Sequence, residues 1–344
     1  ARAYLRARRR EVMSDPRARL LLTRAYLVER TDERHAVSAA ELTAHLECEG
    51  FASNRRSVNA DIDLLRQSGL PVAQKKSRPF GYYLERRMFE PAEVRLLIDL
   101  VRASRVLSRE HGDALTRKLA SLLGRFEAER LCRGLEQTTC VHAADERVYG
   151  SLKRVYEALA DGKKLSFQYC RHTIEKTLVS RRNGEIYAVN PCMTLFMDGC
   201  CYLLADHPHH EGFAHYRVDK MANVRLLEEP GAPLDPAFDP ARYEKTLFSM
   251  YPGDARWVRL AFEKSLIGAV IDRFGEDAPI AALDETTFTV SAPVRVSPPF
   301  FGWVFQFGGG MRILSPDDVC ERMALMVEAA RNAATACKPP QQTF

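Results

Sequence analysis

The fold of the N-terminal third is decided by residues 38–87, which read SAAELTAHLECEGFASNRRSVNADIDLLRQSGLPVAQKKSRPFGYYLERR. Ser38, followed three residues later by Glu41, has the spacing of a helix capping box. Two leucines at positions i and i+4 come next, and Gly50 is typical of a helix end. The stretch therefore begins with a short helix that has one apolar face.

A second helix and a hairpin are predicted directly after this helix. Ser53 is a candidate N-cap, and Gly69 marks the end of the second helix. Its apolar positions recur at helical spacing at Val58, Ile62 and Leu65. Short strands at 71–74 and 82–84 then flank a basic turn. This order predicts a winged helix-turn-helix, whose second helix enters the major groove of DNA.

The polar face of the second helix and the turn carry side chains that suit DNA. Arginine can bind guanine through two bonds, asparagine suits adenine, and lysine in a turn suits phosphate. The candidate DNA-binding residues are Arg55, Arg56, Ser57, Asn59, Lys75, Lys76 and Arg78. The alternative is a small helical domain with a solvated basic face. The arginines favour DNA binding because they stand at the start of the helix, where base contacts are made.

Charge is distributed unevenly along the 344 residues. Residues 1–87 hold 18 Lys and Arg against 11 Asp and Glu, a balance of +7, and the remainder is at −2. This distribution is typical of a nucleic-acid-binding module joined to other domains. Residues 1–12 supply +4 of the balance and precede Met13. They are interpreted as a misplaced start or a cloning remnant, or as an arginine arm for a minor groove.

Composition indicates a globular protein with reduced thiols. Hydrophobic residues make up 46% and charged residues 28%, and the length suits two or three domains. No apolar run reaches the roughly 18 residues of a membrane span, and no secretion signal is recognisable, so a cytoplasmic protein is expected. The nine cysteines lack CxxC spacing, which predicts packed thiols. The adjacent Cys200 and Cys201 leave a vicinal-thiol sensor as an alternative.

Helices are predicted on both sides of the DNA module. Residues 16–30 form a supporting helix, and 88–150 form a helical linker with helices at 91–107 and 108–123. Residues 127–150 within the linker are less patterned and suit a hinge. The linker helices can connect domains or pair with a second copy of the chain.

The period of apolar residues changes from 3.6 to 2 within residues 151–229. One helix is followed by about five short strands, with turn signals at Asn183-Gly184 and Asp198-Gly199. Strands are expected on either side of Pro191, and a single closing strand over 215–227. This pattern predicts a small, strongly bent sheet or an SH3-like barrel.

The C-terminal part is predicted to be a separate domain. A proline-rich, irregular linker over 230–255 precedes elements in the order β-α-β-β-α-β, which is the ferredoxin-like pattern. Trp303 is interpreted as a core residue rather than a ligand platform. FGGG at 307–310 lacks the Lys-Ser/Thr of a phosphate-binding loop.

The order of these parts resembles the WYL-domain transcriptional regulators of bacteria. That family has a winged helix-turn-helix, a WYL domain with an Sm-like barrel, and a C-terminal extension called WCX. The name-giving Trp-Tyr-Leu stands here as Cys201-Tyr202-Leu203, and AHYRVDKM at 214–221 resembles the closing strand of the family. RFG at 273–275 and FFGWVFQFG at 300–308 resemble the extension.

Two positions depart from the family pattern. Cys201 replaces an aromatic residue, which alters packing, and Lys220 replaces the usual arginine. Lysine is a point charge rather than a planar fork, so this change weakens the recognition of planar anions.

The resemblance implies a sensor domain that responds to nucleic-acid ligands such as single-stranded DNA. Aromatic rings beside cations suit such an anion through stacking and charge neutralisation. The candidate effector-binding residues are Tyr169, Tyr202, His215, Arg217 and Lys220. The alternative places Tyr169 in the core and pairs Arg217 with a carboxylate near Asp219 or with Asp206.

Together these patterns predict an α+β, multidomain, homodimeric transcriptional regulator that binds a double-stranded operator and senses single-stranded DNA or a nucleotide. The alternative is a nucleic-acid-binding accessory protein without sequence-specific regulation. No enzyme, cofactor or metal site is expected, and His207, His209 and His210 are interpreted as a surface loop rather than metal ligands. The predicted domains are 16–87 for DNA binding, 88–150 and 230–255 as linkers, 151–229 for sensing and 256–335 as the extension.

Overall fold

The computed structural model describes residues 15–78, 80–133, 145–207 and 212–336. The chain separates into two compact units, residues 1–146 and 147–344. Both units contain helices and strands, in agreement with the predicted α+β content. None of the described helices is long and apolar enough to cross a membrane.

The first unit is mostly helical. Its described elements are α1 (Pro16–Arg30), α2 (Ala39–Cys48), α3 (Arg55–Gln67), β1 (Val72–Lys75), β2 (Gly81–Leu84), α4 (Pro91–Ala103), α5 (Arg109–Ala120) and α6 (Arg125–Arg133). The predicted succession of three helices and a hairpin is present. Most of α6 lies in the stretch 127–150 that was predicted to be a hinge, whereas residues 134–144 lie outside the described part of the chain.

Capping boxes begin α2 and α3. Ser38 Oγ accepts from the Glu41 N–H (3.2 Å), and the Glu41 carboxylate accepts from the Ser38 N–H (2.8 Å), which lowers the pKa of Glu41. At α3 the N-cap is Asn54 rather than the predicted Ser53. Asn54 Oδ1 accepts from the Ser57 N–H (2.9 Å), and Ser57 Oγ accepts from the Asn54 N–H (3.0 Å). Asn54 therefore caps the helix together with Ser57, the residue three positions later.

A buried ion pair joins α1 to α3 behind the polar face of α3. Arg19 Nε and Nη2 donate to the two carboxylate oxygens of Asp61 at 2.8 and 3.0 Å. The side chain of Asp61 is only 8% exposed, and its hydrogen bond raises the pKa of Arg19. The apolar core of this unit is made by Leu27, Val37, Leu42, Leu46, Phe51, Val58, Ile62, Leu65 and Val72. The two helices are thus fixed by a specific polar contact as well as by burial.

The hairpin is held close to the segment before α2. Val37 forms an antiparallel bridge with Tyr82 in β2. Gly81 has a φ of +157°, and a Cβ at this position would lie 2.2 Å from the carbonyl oxygen of Val37. Strand β1 continues to Lys75, so this lysine belongs to the strand and not to the turn as predicted.

The second unit contains two antiparallel sheets. Its described helices and strands are α7 (Arg147–Asp161), β3 (Lys163–His172), β4 (Leu178–Ser180), β5 (Ile186–Met197), β6 (Cys200–Asp206), β7 (Phe213–Arg217), β8 (Met221–Pro230), α8 (Pro240–Thr246), β9 (Asp254–Glu263), α9 (Ile267–Phe274), β10 (Ile280–Ala282), β11 (Thr287–Val296), α10 (Pro298–Phe305), β12 (Met311–Ser315) and α11 (Asp317–Ala336). The first sheet follows α7, as predicted. The segment that forms the second sheet has the predicted element order, β-α-β-β-α-β, and α11 follows it.

The first sheet has the order β8-β3-β5-β6-β7, and β4 pairs with the end of β3. The two strands expected around Pro191 are one long strand, β5, which pairs first with β3 and then with β6, with an irregularity between Pro191 and Met193. The predicted closing strand over 215–227 is two strands, because a 3-10 turn at Val218–Lys220 separates β7 from β8. Asp198 and Gly199 form the predicted turn with positive φ at both positions.

The second sheet has the order β10-β11-β9-β12 and is covered by α9 and α10. Trp303 is half-buried, with its ring centroid 5.4 Å from Phe248, 6.2 Å from Phe262 and 5.8 Å from Phe274. Its predicted role in the core is confirmed. The segment over 230–255, predicted to be irregular, contains α8.

Candidate nucleic-acid interface

Two arginines at the start of α3 face solvent. Arg55 and Arg56 are the first two residues of the helix, and both are exposed. Within the described residues neither side chain takes part in an ion pair. The opposite side of α3 is buried through Val58, Ile62 and Leu65. The cationic side of the helix therefore faces outward, as predicted.

The other two helix candidates have structural bonds. The hydroxyl of Ser57 closes the capping box and donates to the carbonyl oxygen of Asn54 (2.8 Å). Asn59 is half-buried, and its Oδ1 accepts from the hydroxyl of Tyr82 in β2 (3.3 Å). Asn59 thereby helps to fix the hairpin against α3. Ser57 and Asn59 are consequently less available to a partner than the two arginines.

The three cations of the hairpin differ in their surroundings. Lys76 and Arg78 are exposed in the turn. Lys75 is half-buried, and its Nζ donates to the carbonyl oxygen of Glu33 (2.7 Å). Arg66 of α3 also reaches this hairpin, where its Nε donates to the carbonyl oxygen of Val72 (2.8 Å). Lys76 and Arg78 are thus the two cations of the turn that a phosphate can approach directly.

Arg87, the last arginine of the basic stretch, has a structural position. It donates to the carbonyl oxygens of Val28 (2.5 Å) and Thr31 (2.8 Å), and its Nε lies 2.9 Å from the Glu127 carboxylate. Its side chain is 8% exposed. The residue therefore holds α1 to α6 and is not part of the exposed basic surface.

In the second unit Tyr169 lies in a cluster of aromatic rings. Its ring centroid is 5.3 Å from Tyr216, 6.3 Å from Tyr187 and 6.4 Å from Phe167. Its hydroxyl accepts from the backbone N–H of Arg217 (3.1 Å), and burial raises its pKa. Burial also raises the pKa of Tyr216 to about 12. Tyr169 thus makes core contacts, as the alternative interpretation proposed, and supports the strand that carries Arg217.

Tyr202 and His215 belong to another cluster, on β6 and β7. Tyr202 lies directly opposite Arg217 in the strand register, and burial raises its pKa. The ring nitrogens of His215 lie 2.7 Å from the carbonyl oxygen of Met250 and 2.9 Å from the hydroxyl of Tyr243. Both ring nitrogens therefore have partners in the segment that follows the sheet.

Arg217 is neutralised by a carboxylate two residues away. Its Nε and Nη2 lie 3.0 and 2.8 Å from the oxygens of Asp219, and this hydrogen bonding raises the pKa of Arg217. The two side chains are 29% and 20% exposed. The partner is Asp219 and not Asp206. Lys220 is half-buried at the end of the 3-10 turn.

A polar cavity of about 370 Å³ lies next to this region and was not predicted. Arg181 is positioned over the ring of Tyr169 (5.9 Å), and Arg182 lies 3.3 Å from the Glu185 carboxylate. The residues that line the cavity are Arg171, Ser180, Arg181, Arg182, Asn183 and Tyr187. The adjacent arginines in SRRNG at a turn signal were the available clue. We call this cavity the arginine pocket.

The paired cysteines and the histidine loop were the two remaining candidate sites. Cys200 and Cys201 are 3% and 1% exposed, and burial raises the pKa of Cys201 to about 12, which disfavours the reactive thiolate. The packed-thiol interpretation fits this burial. His209 and His210 lie outside the described residues, and among those that are described no group of side chains could hold a metal ion.

Solved structures that are similar to this chain include the following two. Proteasome accessory factor B/C (PafBC) of Arthrobacter aurescens is 18% identical with a TM-score of 0.30, and the match covers 92% of this chain and 48% of that chain. A CRISPR Cas-related protein is 13% identical with a TM-score of 0.36, and the match covers 67% of this chain and 66% of that one. This chain thus spans about half the length of the first protein. No curated protein matches.

Two family models match the second unit. The WYL domain model matches residues 150–226, which contain most of α7 and most of the first sheet. The WCX domain model matches residues 254–331, which contain the second sheet and most of α11. The two matches follow each other in the order that the sequence resemblance implied. Residues 150–226 and 254–331 therefore form a WYL domain and a WCX domain.

Proposed function

We propose that this chain is a transcriptional regulator that binds duplex DNA through residues 16–87 and senses an anionic, nucleic-acid-like effector through its WYL domain. The observation that carries the proposal is the exposure of Arg55 and Arg56 at the start of α3, next to a basic hairpin. The same chain carries WYL and WCX domains.

The proposed DNA module is a winged helix-turn-helix with α3 as the reading helix. Residues at the N-terminal end of such a helix contact base edges, and each arginine–guanine pair contributes about 1–3 kcal/mol of discrimination. Lys76 and Arg78 are exposed where the wing would approach phosphates. In this proposal Ser57, Asn59 and Lys75 lie at the edge of the interface and mainly hold its shape.

The regulator is proposed to act as a homodimer. One reading helix covers few base pairs, and two half-sites about one helical turn apart combine two weak contacts into a stable complex. The selected DNA site should therefore be an inverted repeat. The helices of the linker are the segment through which we expect the copies to pair.

We infer finer folds for the two domains of the second unit. An Sm-like barrel is supported by the order β8-β3-β5-β6-β7, whose edge strands β7 and β8 are joined by one short turn. A ferredoxin-like WCX domain is supported by the order β10-β11-β9-β12.

The proposed effector site comprises Tyr169, Tyr202, His215, Arg217 and Lys220, extended by the arginine pocket beside Tyr169. Guanidinium groups bind phosphate oxygens through paired hydrogen bonds, and they do so most favourably where no carboxylate already neutralises them. Effector binding would change the affinity for the operator. Because such coupling is reciprocal, operator DNA would change the affinity for the effector by the same factor.

Selection of the full chain against a random duplex library tests the proposal. Enrichment of one inverted repeat is the expected result. Binding without an enriched motif would instead favour the nucleic-acid accessory protein, in which the WYL domain binds single strands and the helical module only anchors the chain. Absence of any duplex binding at low salt would contradict both interpretations.

A further inference from the structure

A second cavity lies in the WCX part of the chain, away from the arginine pocket. It has a volume of about 180 Å³ and forms between α8, β9, the end of α9 and β11. Its lining includes Arg242, Lys245, Trp257, Phe274, Asp277 and Pro293. Neither the DNA-binding proposal nor the effector proposal uses this cavity.

The wall of the cavity is largely aromatic. Trp257 is 64% exposed, although tryptophan is a large apolar residue that is usually well covered. Pro293 lies opposite Trp257 in the β9–β11 register, and Phe274 contributes a second ring. An apolar protein cavity of about 150 Å³ can hold benzene. The space therefore suits one planar six-membered ring against the indole.

The rim of the cavity is cationic. Arg242 and Lys245 stand three residues apart on α8, so both can lie on the same side of the helix. Both are exposed, and within the described residues neither takes part in an ion pair. Asp277 is the acidic residue of the lining. Two cations against one carboxylate favour a ligand that carries a negative group beside its ring.

We propose that this cavity binds a small aromatic acid, with its ring on Trp257 and its carboxylate between Arg242 and Lys245. The ring replaces water on an exposed indole, and offset stacking of aromatic rings is favourable. The carboxylate gains charge-assisted hydrogen bonds that the two cations do not make with any described residue. A second, smaller ligand site is thus assigned to the junction of α8 with the WCX domain.

The position of α8 gives this site a route to the WYL sheet. Tyr243 stands between the two cations on α8, and its hydroxyl lies 2.9 Å from His215 on β7. The guanidinium of Arg295 on β11 lies 4.9 Å from the ring centroid of Tyr243. A ligand that immobilises α8 would therefore also hold Tyr243 against the strand that carries Arg217. An effect on the effector response would rest on the proposed function, whereas binding itself would not.

Tryptophan fluorescence provides a direct measurement, because the chain has two tryptophans and Trp303 is half-buried. Titration of the full chain with benzoate should quench the emission along a saturating curve. Benzamide has the aromatic ring without the charge, and cyclohexanecarboxylate has the charge without the aromatic ring. Each should bind at least roughly tenfold more weakly than benzoate. Quenching that does not saturate, or equal binding of all three compounds, would overturn the proposal.

Variants locate the site. Arg242→Gln combined with Lys245→Gln should weaken benzoate binding by roughly tenfold or more in calorimetry, because charged hydrogen bonds are lost. Trp257→Leu should abolish binding in the same assay, which does not need the indole as a reporter. Arg225→Gln combined with Arg312→Gln removes two exposed cations elsewhere and should leave binding unchanged.

A second copy of the chain could cover Trp257 instead. In that case the indole emission would depend on protein concentration and would not respond to benzoate, which would contradict the proposal. Because none of these measurements uses DNA, a failed operator selection would leave their result intact. A failed benzoate titration would in turn leave the DNA-binding proposal standing.

Discussion

The arginines at the start of α3 and Arg217 on β7 are all predicted to bind anions but have opposite surroundings. Arg55 and Arg56 face solvent, and within the described residues they form no ion pair. Arg217 is only 29% exposed and is bound through two nitrogens by Asp219. The first pair is ready to receive an anionic partner, whereas Arg217 must first be released from its carboxylate.

This difference shows that alternation along a strand predicts which side chains share a face of the sheet. It does not predict whether a charged side chain on that face already has an ion-pair partner. His215 and Arg217 do share a face, opposite Tyr216 and Val218, as the pattern indicated. Both side chains nevertheless have partners that are invisible in a strand pattern, because α8 and the 3-10 turn supply them. The arginine pocket, whose cations lie in turns and at strand ends, is more open.

The largest expected effect concerns the exposed arginines. Arg55→Ala combined with Arg56→Ala should weaken operator binding by about 2–6 kcal/mol, since each base contact contributes about 1–3 kcal/mol. Fluorescence anisotropy with the selected operator measures the loss. The melting temperature should stay unchanged, because substitutions of exposed residues have small effects. Arg117→Ala combined with Lys118→Ala, exposed cations on α5, is the matched control; equal losses in both variants would remove the assignment of α3.

The ion pair behind α3 gives the largest expected effect on stability. Asp61→Ala removes the partner of the partly buried Arg19, whose side chain is 17% exposed, so the free energy of unfolding should fall by about 1–3 kcal/mol. Asp63→Ala, on the same helix with a 65% exposed side chain, should change stability by less than about 0.5 kcal/mol. Denaturant unfolding of both variants provides the comparison. Equal stability would mean that packing alone fixes α1 to α3.

The two arginine sets of the WYL domain can be compared directly. Arg171→Gln combined with Arg181→Gln should weaken binding of a labelled oligothymidylate by roughly tenfold, because two open guanidinium groups are lost. Arg217→Ala should spare operator binding and abolish the effect of the oligonucleotide on it. A greater loss of oligonucleotide affinity from Arg217→Ala than from the pocket variant would place the anion at the paired arginine.

The buried thiol gives a pH-dependent effect. The pKa of Cys201 is raised by burial from 9.0 to about 12, so the unfolded chain releases this proton first as the pH rises. The contribution of this thiol to the free energy of unfolding is therefore fully present below pH 9. It is lost progressively between pH 9 and 12, and the loss is about 1 kcal/mol at pH 10. Chemical unfolding at pH 8 and 10 should show this loss in the wild type and less of it in Cys201→Ala. An unchanged pH dependence in the variant would contradict the assignment.

The smallest expected effect distinguishes neighbouring lysines. Lys76→Ala should reduce the slope of log affinity against log salt concentration by about 0.9, the value for one released counterion. Lys75→Ala should reduce the slope less, because its ammonium group donates to Glu33. Operator binding at several salt concentrations measures both slopes. Equal reductions of the slope in both variants would mean that Lys75 contacts phosphate as much as Lys76 does.

Local signals in the sequence predicted the elements well. The capping box at Ser38, the end of α3 at Gly69 and the turn at Asp198-Gly199 all depend on neighbours within a few residues. The N-cap at Asn54 and the length of β5 were predicted wrongly, because two adjacent capping residues compete and a proline can be accommodated at an irregular position of a strand.

The chemistry of the site was only partly predictable. Exposure of Arg55 and Arg56 follows from helical periodicity, which the sequence contains. Arg87, Asp61 and His215 each have a hydrogen-bond partner that is 28 or more residues away in the sequence. No local pattern encodes such contacts. Residue type therefore indicated candidate roles, and tertiary structure decided which side chains are free to bind.

The tight approach of Gly81 to Val37 limits how this molecule can vary. Any side chain at position 81 would push the hairpin away from the strand bridge at Val37, and with it the basic tip that carries Arg78. In the proposed complex with DNA, a descendant that lost this glycine would hold its hairpin at a different height above the duplex. Its preferred spacing between contacted phosphates would change even if every arginine were retained.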